Sequence, residues 1–353
     1  MKIRELYIES YKMFRDFKID FVDSEEKPLD IVVLAGVNGS GKSAILDLIY
    51  NFDLYKYHEA PKANLIYEDD RGHIINRKSK VIRTSEIFPD HNSNEEKKSK
   101  HIYFKAGVDD INQIADEFVK TFYYFLKEKD YRPSEVKTHF DKYMQNIFDG
   151  LEIGFQYSHL DKEDNVWFIN QNNEEFQMKE LSTGEKTLLS KVLYLYFKDY
   201  KDKVILIDEP ELSLHPSWQN RVLKIYKNFA KLNNCQIIIA THSPHIIGSA
   251  KSESIRLLSK EGDKIEVVDN FSHTYGAKFS QILTDVMGVD YLRVPIVAQK
   301  LDKVKAMIAQ NSFESDEFNQ NWQELEEMLG KSNLELKLLK LEIASRKKNV
   351  SNS

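Results

Sequence analysis

The strongest constraint on this chain is an apolar run, Ile31 to Leu34, that leads straight into Gly36-Val-Asn-Gly-Ser-Gly-Lys42-Ser43. Residues Ser43 to Phe52 follow with helical spacing, Ile45, Leu46, Leu48 and Ile49 forming the apolar stripe. A pattern G-x-x-x-x-G-K-[ST] arises by chance in roughly one chain in a hundred at background glycine frequency. The plainer reading is a glycine turn between a strand and a helix. The flanking strand and helix argue for more, because that context lets backbone N–H groups converge on a phosphate at a helix N-terminus. Gly36, Asn38, Gly39, Ser40 and Gly41 are expected to form the cradle. Lys42 is expected to reach the β and γ phosphates, and the Ser43 hydroxyl to coordinate Mg²⁺ beside bound ATP.

A second half-site lies far downstream. Val204 to Ile207 reads as a buried strand ending in Asp208-Glu209-Pro210. Adjacent side chains on a strand face opposite ways, but at its carboxyl end both can border the ligand crevice of an α/β sheet. Asp208 is expected to hold the Mg²⁺ shell, and Glu209 to take a proton from, or orient, an attacking water. The alternative is a strand that simply ends in solvated acids and a helix-breaking proline; the glycine loop upstream argues against it. The next apolar strand, Gln236 to Ala240, ends in Thr241-His242-Ser243-Pro244, which places His242 where it could contact the γ-phosphate and hold the water.

The rest of the chain supplies the frame. Ile3, Leu6 and Ile8, then Phe17, Ile19 and Phe21, predict an antiparallel hairpin turning near Lys12 to Arg15. Residues from about 53 to 175 predict a compact helical lobe, with helices at Asp109 to Leu126 and Ser134 to Phe148, a charged turn-rich stretch at Glu68 to Lys80, a strand-like Lys80 to Arg83, and a polar loop through Asn92 to Lys100. From Leu181 the pattern returns to α/β: helices at Gly184 to Tyr200 and Ser217 to Leu232, and a hairpin from Ser254 to Leu258 and Lys264 to Val268. Three tail helices follow at Ile296 to Ala309, Asp316 to Leu329 and Leu334 to Ile343, before a polar tip expected to fray. The predicted organisation is a head over 1–285, with a helical insertion about 105–150, and a helical region over 286–353.

Composition narrows the partners. A net charge of −6 over 353 residues leaves no global nucleic-acid footprint, so DNA or RNA contact would need a local basic patch. Arg71, Arg77, Lys78, Lys80 and Arg83 form one such local run, more readily read as a solvated hairpin. The single cysteine, Cys235, excludes an intrachain disulfide and fits a reducing cytosol, so a cytoplasmic location is expected. No run approaches the ~20 apolar residues of a membrane span. No membrane partner is expected.

Leu181-Ser182-Thr183-Gly184-Glu185-Lys186, ahead of the carboxylate strand, resembles the signature motif of ABC-type ATPases. The plainer reading, a helix start with Ser182 or Thr183 as N-cap and Glu185 in its first turn, is compatible with it. The run Asp-Glu-Pro-Glu-Leu-Ser-Leu-His-Pro (208–216), with Ala240-Thr-His-Ser-Pro, resembles the soluble RecF, SMC and OLD-type members rather than transporter heads. The tail, including Gly288-Val-Asp-Tyr-Leu-Arg293-Val-Pro295 and Trp322 to Gly330, is similar to that of the Septu and retron-associated PtuA-like antiphage defence ATPases. The resemblance implies an α/β ABC-type P-loop head of mixed β-sheet and flanking helices. It implies a head-to-tail dimer with itself around ATP and Mg²⁺, Ser182 and Gly184 of one head capping the ATP of the other. It implies that Lys12 or Arg15, in the first hairpin, approaches the nucleotide, with Gln113 a candidate for the glutamine loop. No heptads long enough for a coiled-coil arm occur, and the residues after His242 leave no room for a Toprim nuclease. The implied function is therefore an ATPase that scaffolds or gates a separate effector, a nuclease foremost; the alternative is a RecF-like DNA-repair ATPase clamping DNA.

Overall fold

Strands covered on both faces read as continuous apolar runs, because alternate residues feed two different cores. The computed structural model, which describes residues 1–52, 61–78, 101–104, 111–151, 154–197, 200–212, 214–262, 264–268, 274–289 and 292–351, shows this directly. Its central sheet contains β3 (Ile31–Ala35), β6 (His101–Phe104), β10 (Val204–Asp208), β11 (Gln236–Thr241), β12 (Ile255–Glu261) and β13 (Lys264–Val268). The order is β13-β12-β3-β11-β10-β6, parallel throughout except for the antiparallel edge β13. Ile31, Val33, Ile205, Ile207, Ile237 and Ile239 face one core; Val32, Leu34, Val204, Leu206, Ile238 and Ala240 face the other.

The first core is closed by α3 (Pro133–Ile147), α4 (Thr183–Phe197), α5 (Pro216–Asn233) and α6 (Pro244–Ser249). The second is closed by α1 (Lys42–Tyr50) and by an antiparallel sheet ordered β2-β1-β4-β5. Its strands are β1 (Lys2–Tyr11), β2 (Phe14–Asp20), β4 (Lys62–Glu68) and β5 (Ile74–Lys78). The two sheets are joined by Gln236, which is fully buried: its Oε1 accepts from Ile3 N at 2.7 Å, and its Nε2 donates to Ile3 O and Leu29 O, both at 3.0 Å.

The expectation of a compact helical lobe between about 53 and 175 is corrected. Helix α2 (Ile111–Glu128) and α3 are present, but strands belonging to three different sheets surround them. The stretch expected to be turn-rich, Glu68 to Lys80, begins inside the hairpin β4–β5 and its described part supplies the turn and β5; the inward side chains Ala63, Leu65 and Tyr67 of β4 alternate with exposed or half-exposed neighbours. Its charges dominate the sequence signal, while Asp69 caps the turn by accepting from the backbone N–H groups of Arg71 and His73. Strand β6 went unread because four residues carry too little periodicity. A meander of β7 (Phe155–Leu160), β8 (Val166–Asn170) and β9 (Glu175–Gln177) lays Phe155, Tyr157 and Phe168 against Phe140 and Phe118. The strand expected at Lys80 to Arg83 and the polar loop from Asn92 to Lys100 lie outside the described residues.

The chain divides into two compact units, Met1–Met287 and Gly288–Ser353. The first ends with a short helix, α7 (Phe279–Gln281), that widens into a π turn over Ile282–Val286. The second contains α8 (Pro295–Ala309), α9 (Asp316–Leu329) and α10 (Leu334–Ser351) around Leu301, Val304, Ile308, Phe318, Leu325 and Leu336. Helix α10 outruns its expected end at Ile343. Arg346 pairs with Glu342 one turn back and Lys347 with Glu314, so charged partners support the helix beyond Ile343.

Candidate functional site

The parallel register sets where the chemistry can sit. β10 lies between β6 and β11, and β3 follows β11, so their carboxyl ends open on one edge of the sheet. The glycine loop leaves β3 there and enters α1, whose first N–H groups have no intrahelical partner. Gly36 has φ +146, and a Cβ on it would lie 2.5 Å from Leu258 O and 2.7 Å from Ser40 Oγ, so a side chain is sterically excluded. Asn38 and Gly39 form the exposed rim of the loop; Ser40 and Gly41 are buried beneath it. Ser40 Oγ has no hydrogen-bond partner.

Lys42 is 6% exposed and folds back over its own loop, donating to Gly36 O at 2.8 Å and Val37 O at 3.0 Å. Burial lowers its pKa, against the opposing pull of Glu209, Asp208 and Glu211. A phosphate at the loop would add further negative charge beside its ammonium.

Ser43 Oγ donates to Asp208 Oδ1 at 3.1 Å, joining residues that stand far apart in sequence. The other oxygen, Oδ2, accepts from Tyr103 OH at 3.1 Å, reached from the edge strand β6. Burial raises the pKa of Asp208, while the Ser43 and Tyr103 hydroxyls hold it down. Burial and the Asp208 carboxylate together push the Tyr103 phenol far above its ordinary range, so it stays a donor.

Glu209 adopts a left-handed backbone, φ 49, with its N–H donating to Ala240 O at 2.8 Å. Such a φ is uncommon for a non-glycine residue, and here it interrupts strand alternation immediately after Asp208. Its Oε1 lies 3.1 Å from His242 Nδ1, an approach in distance but off the hydrogen-bonding direction. Glu211 Oε1 stands 3.5 Å from the same nitrogen.

The structure therefore brings Lys42, Ser43, Asp208, Glu209 and His242 to one edge. It does not join the signature to them. Ser182 and Glu185 form a reciprocal cap at the start of α4: Ser182 N and Oγ donate to Glu185 Oε2 at 3.0 and 2.6 Å, and Glu185 N donates to Ser182 Oγ at 3.4 Å. Among the described residues no hydrogen bond or ion pair links Ser182 or Gly184 to the glycine loop or the carboxylates. Ser182 and Thr183 are exposed, and Gly184 sits over His215 and Trp218, where a Cβ would make ordinary 4.0 Å contacts.

The two basic residues of the first hairpin part company. Arg15 Nη1 donates to Lys12 O and Phe14 O, both at 2.7 Å, closing its own turn. Lys12 Nζ instead lies 3.6 Å from Asp47 Oδ2, on the helix that begins at Lys42. Gln113 falls in α2, with its side chain outside the described residues. Sequence reasoning gave no role to Tyr103, Glu211 or Asp47. Asp47 was findable, being four residues after Ser43 on one helical face; Glu211 stood unused inside the quoted acidic run; Tyr103 carries no local signal.

The donor set suits a hard divalent cation. Ser43 Oγ and Asp208 Oδ1 are oxygen ligands of the kind Mg²⁺ takes one or two at a time, completed by phosphate and water. Among the described residues no group of three His, Cys, Asp or Glu side chains is placed to hold a metal unaided.

A family described as "AAA domain, putative AbiEii toxin, Type IV TA system" matches residues 59–248, a segment holding the signature, Asp208, Glu209 and His242 but beginning after the glycine loop. The chain is 28% identical to the Septu protein PtuA of Bacillus thuringiensis over 220 residues, covering 58% of this chain and 54% of that protein. It is 30% identical to the Retron Ec83 probable ATPase of Escherichia coli over 192 residues, covering 50% of this chain and 34% of that protein. The chain thus spans about half the length, or less, of these relatives. Among solved structures, the SMC head domain from Thermotoga maritima aligns with TM-score 0.49 and 18% identity, over 76% of this chain and 98% of that one. The expected likeness to Septu and retron-associated ATPases thus has its counterpart in these relatives. Since the family match extends over more than half of its residues, the chain belongs to the AAA-domain family of that description.

Proposed function

We propose that this chain binds and hydrolyses ATP, and that two copies close head to tail around the nucleotide to gate a separate effector, a nuclease foremost, in antiphage defence. One observation carries the ATPase reading: Ser43 and Asp208 meet at 3.1 Å while Glu209 and His242 meet at 3.1 Å on the same edge. The loop N–H groups and Lys42 would hold the β and γ phosphates. Mg²⁺, held by Ser43 and Asp208 when bound, would neutralise charge developing on the phosphates. Glu209 would take the proton of the attacking water, with His242 fixing the carboxylate and the γ-phosphate end. Lys12, whose amino group reaches α1 while Arg15 is spent on its own turn, is the better choice for the hairpin cation near the nucleotide.

The dimer rests on Ser182 and Thr183 being exposed at a helix N-terminus with no partner from the loop of their own chain. The Septu and retron names of the relatives support the defence role. No helix among the described residues is long and apolar enough to cross a membrane.

The test is ATP turnover and solution mass for the wild type and three variants. Lys42→Ala should abolish nucleotide binding, Glu209→Gln should accumulate an ATP-bound dimer, and Ser182→Arg should prevent that dimer. Wild-type turnover in Glu209→Gln would remove it as the base. A mass unaffected by ATP in that variant would sink the head-to-tail dimer. A nuclease co-purifying with the chain separates the defence role from a DNA-clamping one.

A further inference from the structure

The ladder between β10 and β11 ends at Asp208 opposite Ala240, and the Glu209 N–H bond to Ala240 O is its last main-chain tie. Beyond that point two loops leave the sheet, one carrying Glu209 and one carrying His242. The next tie between them is Glu211. Its side chain is 5% exposed, and Oε1 accepts from Thr241 Oγ1 at 2.7 Å and from His242 N at 3.1 Å. Thr241 Oγ1 in turn accepts from Ser243 N at 2.9 Å, and Ser243 Oγ donates to Gln219 Oε1 at 2.8 Å, anchoring the corner on α5.

This is a costly way to hold two loops together. The second oxygen, Glu211 Oε2, is buried with no hydrogen-bond partner. A buried carboxyl oxygen left without a partner is destabilising relative to an apolar side chain of like size. What the carboxylate supplies is placement: one oxygen fixes both the hydroxyl before His242 and the backbone N–H of His242 itself, while the ring nitrogen stands 3.1 Å from Glu209. Resting on the ATPase reading above, we propose that Glu211 is a positioning residue for hydrolysis, locking the β11–α6 corner so that His242 meets Glu209. Its contacts are with Thr241 and His242, so its effect passes through His242.

The proposal is tested by steady-state ATP turnover of the full chain as wild type, Glu211→Ala, His242→Ala and the double variant, with thermal unfolding of each. Glu211→Ala should lower kcat about 10- to 100-fold, the scale of a misplacement near the chemistry, while KM for ATP stays within about 3-fold. The double variant should be no slower than His242→Ala alone, because both changes remove one function. Glu211→Gln, which keeps the accepting oxygen, should restore most of the rate lost in Glu211→Ala. If Glu211→Ala fails to fold, Glu211→Met fills the space and takes its place in the same cycle. Losses that multiply in the double variant, a change confined to KM, or no rescue by glutamine would each overturn the positioning role. Lys42→Ala in the same assay separates the two levels. Turnover that survives it sinks the ATPase reading and this inference together; turnover lost in Lys42→Ala with multiplying Glu211 and His242 effects sinks the inference alone.

Discussion

Replacing Gly36 by alanine should do far more harm than the same change three residues later. At Gly36 the new methyl carbon would lie 2.5 Å from the carbonyl oxygen of Leu258, a strand atom that cannot rotate away, and 2.7 Å from the buried Ser40 Oγ. Relief requires moving β3, β12 or the loop. Overpacking of that kind costs about 1–3 kcal/mol, and the φ of +146 adds about 1–3 kcal/mol of backbone strain. Gly39 has φ +81, so it shares the strain, but nothing lies within 4 Å of its Cβ position. Taking about 3 kcal/mol for Gly36→Ala, unfolding should come roughly 6–12 °C earlier. Gly39→Ala, at about 1 kcal/mol, should shift it by only roughly 2–4 °C. Differential scanning calorimetry without nucleotide reads the first effect. Binding of a fluorescent ATP analogue reads the second, since a displaced loop no longer aims its N–H groups at one point. Equal melting temperatures and equal affinities for the two variants would refute the reasoning, showing that the loop relaxes freely around Leu258.

Three further outcomes follow from the contacts. Tyr103→Phe removes one of the two hydroxyls on Asp208 without changing shape, and should raise the Mg²⁺ concentration for half-maximal turnover about 10-fold; Mn²⁺ binding followed by electron paramagnetic resonance checks it, and an unchanged affinity denies Tyr103 the role. Gln236→Leu strands Ile3 N, Ile3 O and Leu29 O without their side-chain partner, and should cost roughly 3 kcal/mol or more in urea unfolding, so an unmoved midpoint counts against the joint between the sheets. The carboxyls of Glu324, Glu326 and Glu335 are held below their ordinary 4.5, chiefly by hydrogen bonds from Lys300, Lys340 and Lys305 respectively. The unfolded unit therefore binds these protons more readily, and the stabilisation, fully present above about pH 4.5, is lost as pH falls through the lower folded values. Trp322 emission in a Trp167→Phe, Trp218→Phe background should report earlier melting of the tail in acid, and a melting temperature flat from about pH 5 to about pH 2 would contradict it.

How much was legible depended on how local the signal was. The glycine loop, the apolar strands at Ile31 and Val204, and the helices from Ser43 and Asp316 are written in runs of neighbouring residues, so periodicity and turn chemistry found them. The hairpin β4–β5 was hidden because its charged outward side chains outweigh Ala63, Leu65 and Tyr67, whose partners lie in β1. Tyr103 and Glu211 look like any tyrosine in a short strand and any acid in a loop. Their roles exist only through Asp208 and His242, contacts that no window of sequence contains.

The sequence alone determined the local pieces and their order: a glycine loop leading into a helix, then a polar helix start, a strand ending in acids, and a histidine after the next strand. Local rules suffice for these because each is a few adjacent residues with a required backbone shape. Only the tertiary structure decided which groups touch. Parallel pairing in the order β3-β11-β10-β6 puts Ser43, Asp208 and Tyr103 in one chain of hydrogen bonds, while Glu211 clamps the His242 loop and Arg15 is drawn back to its own turn. Strand order and register bring together side chains from distant segments, and neither is encoded in the spacing of any one motif.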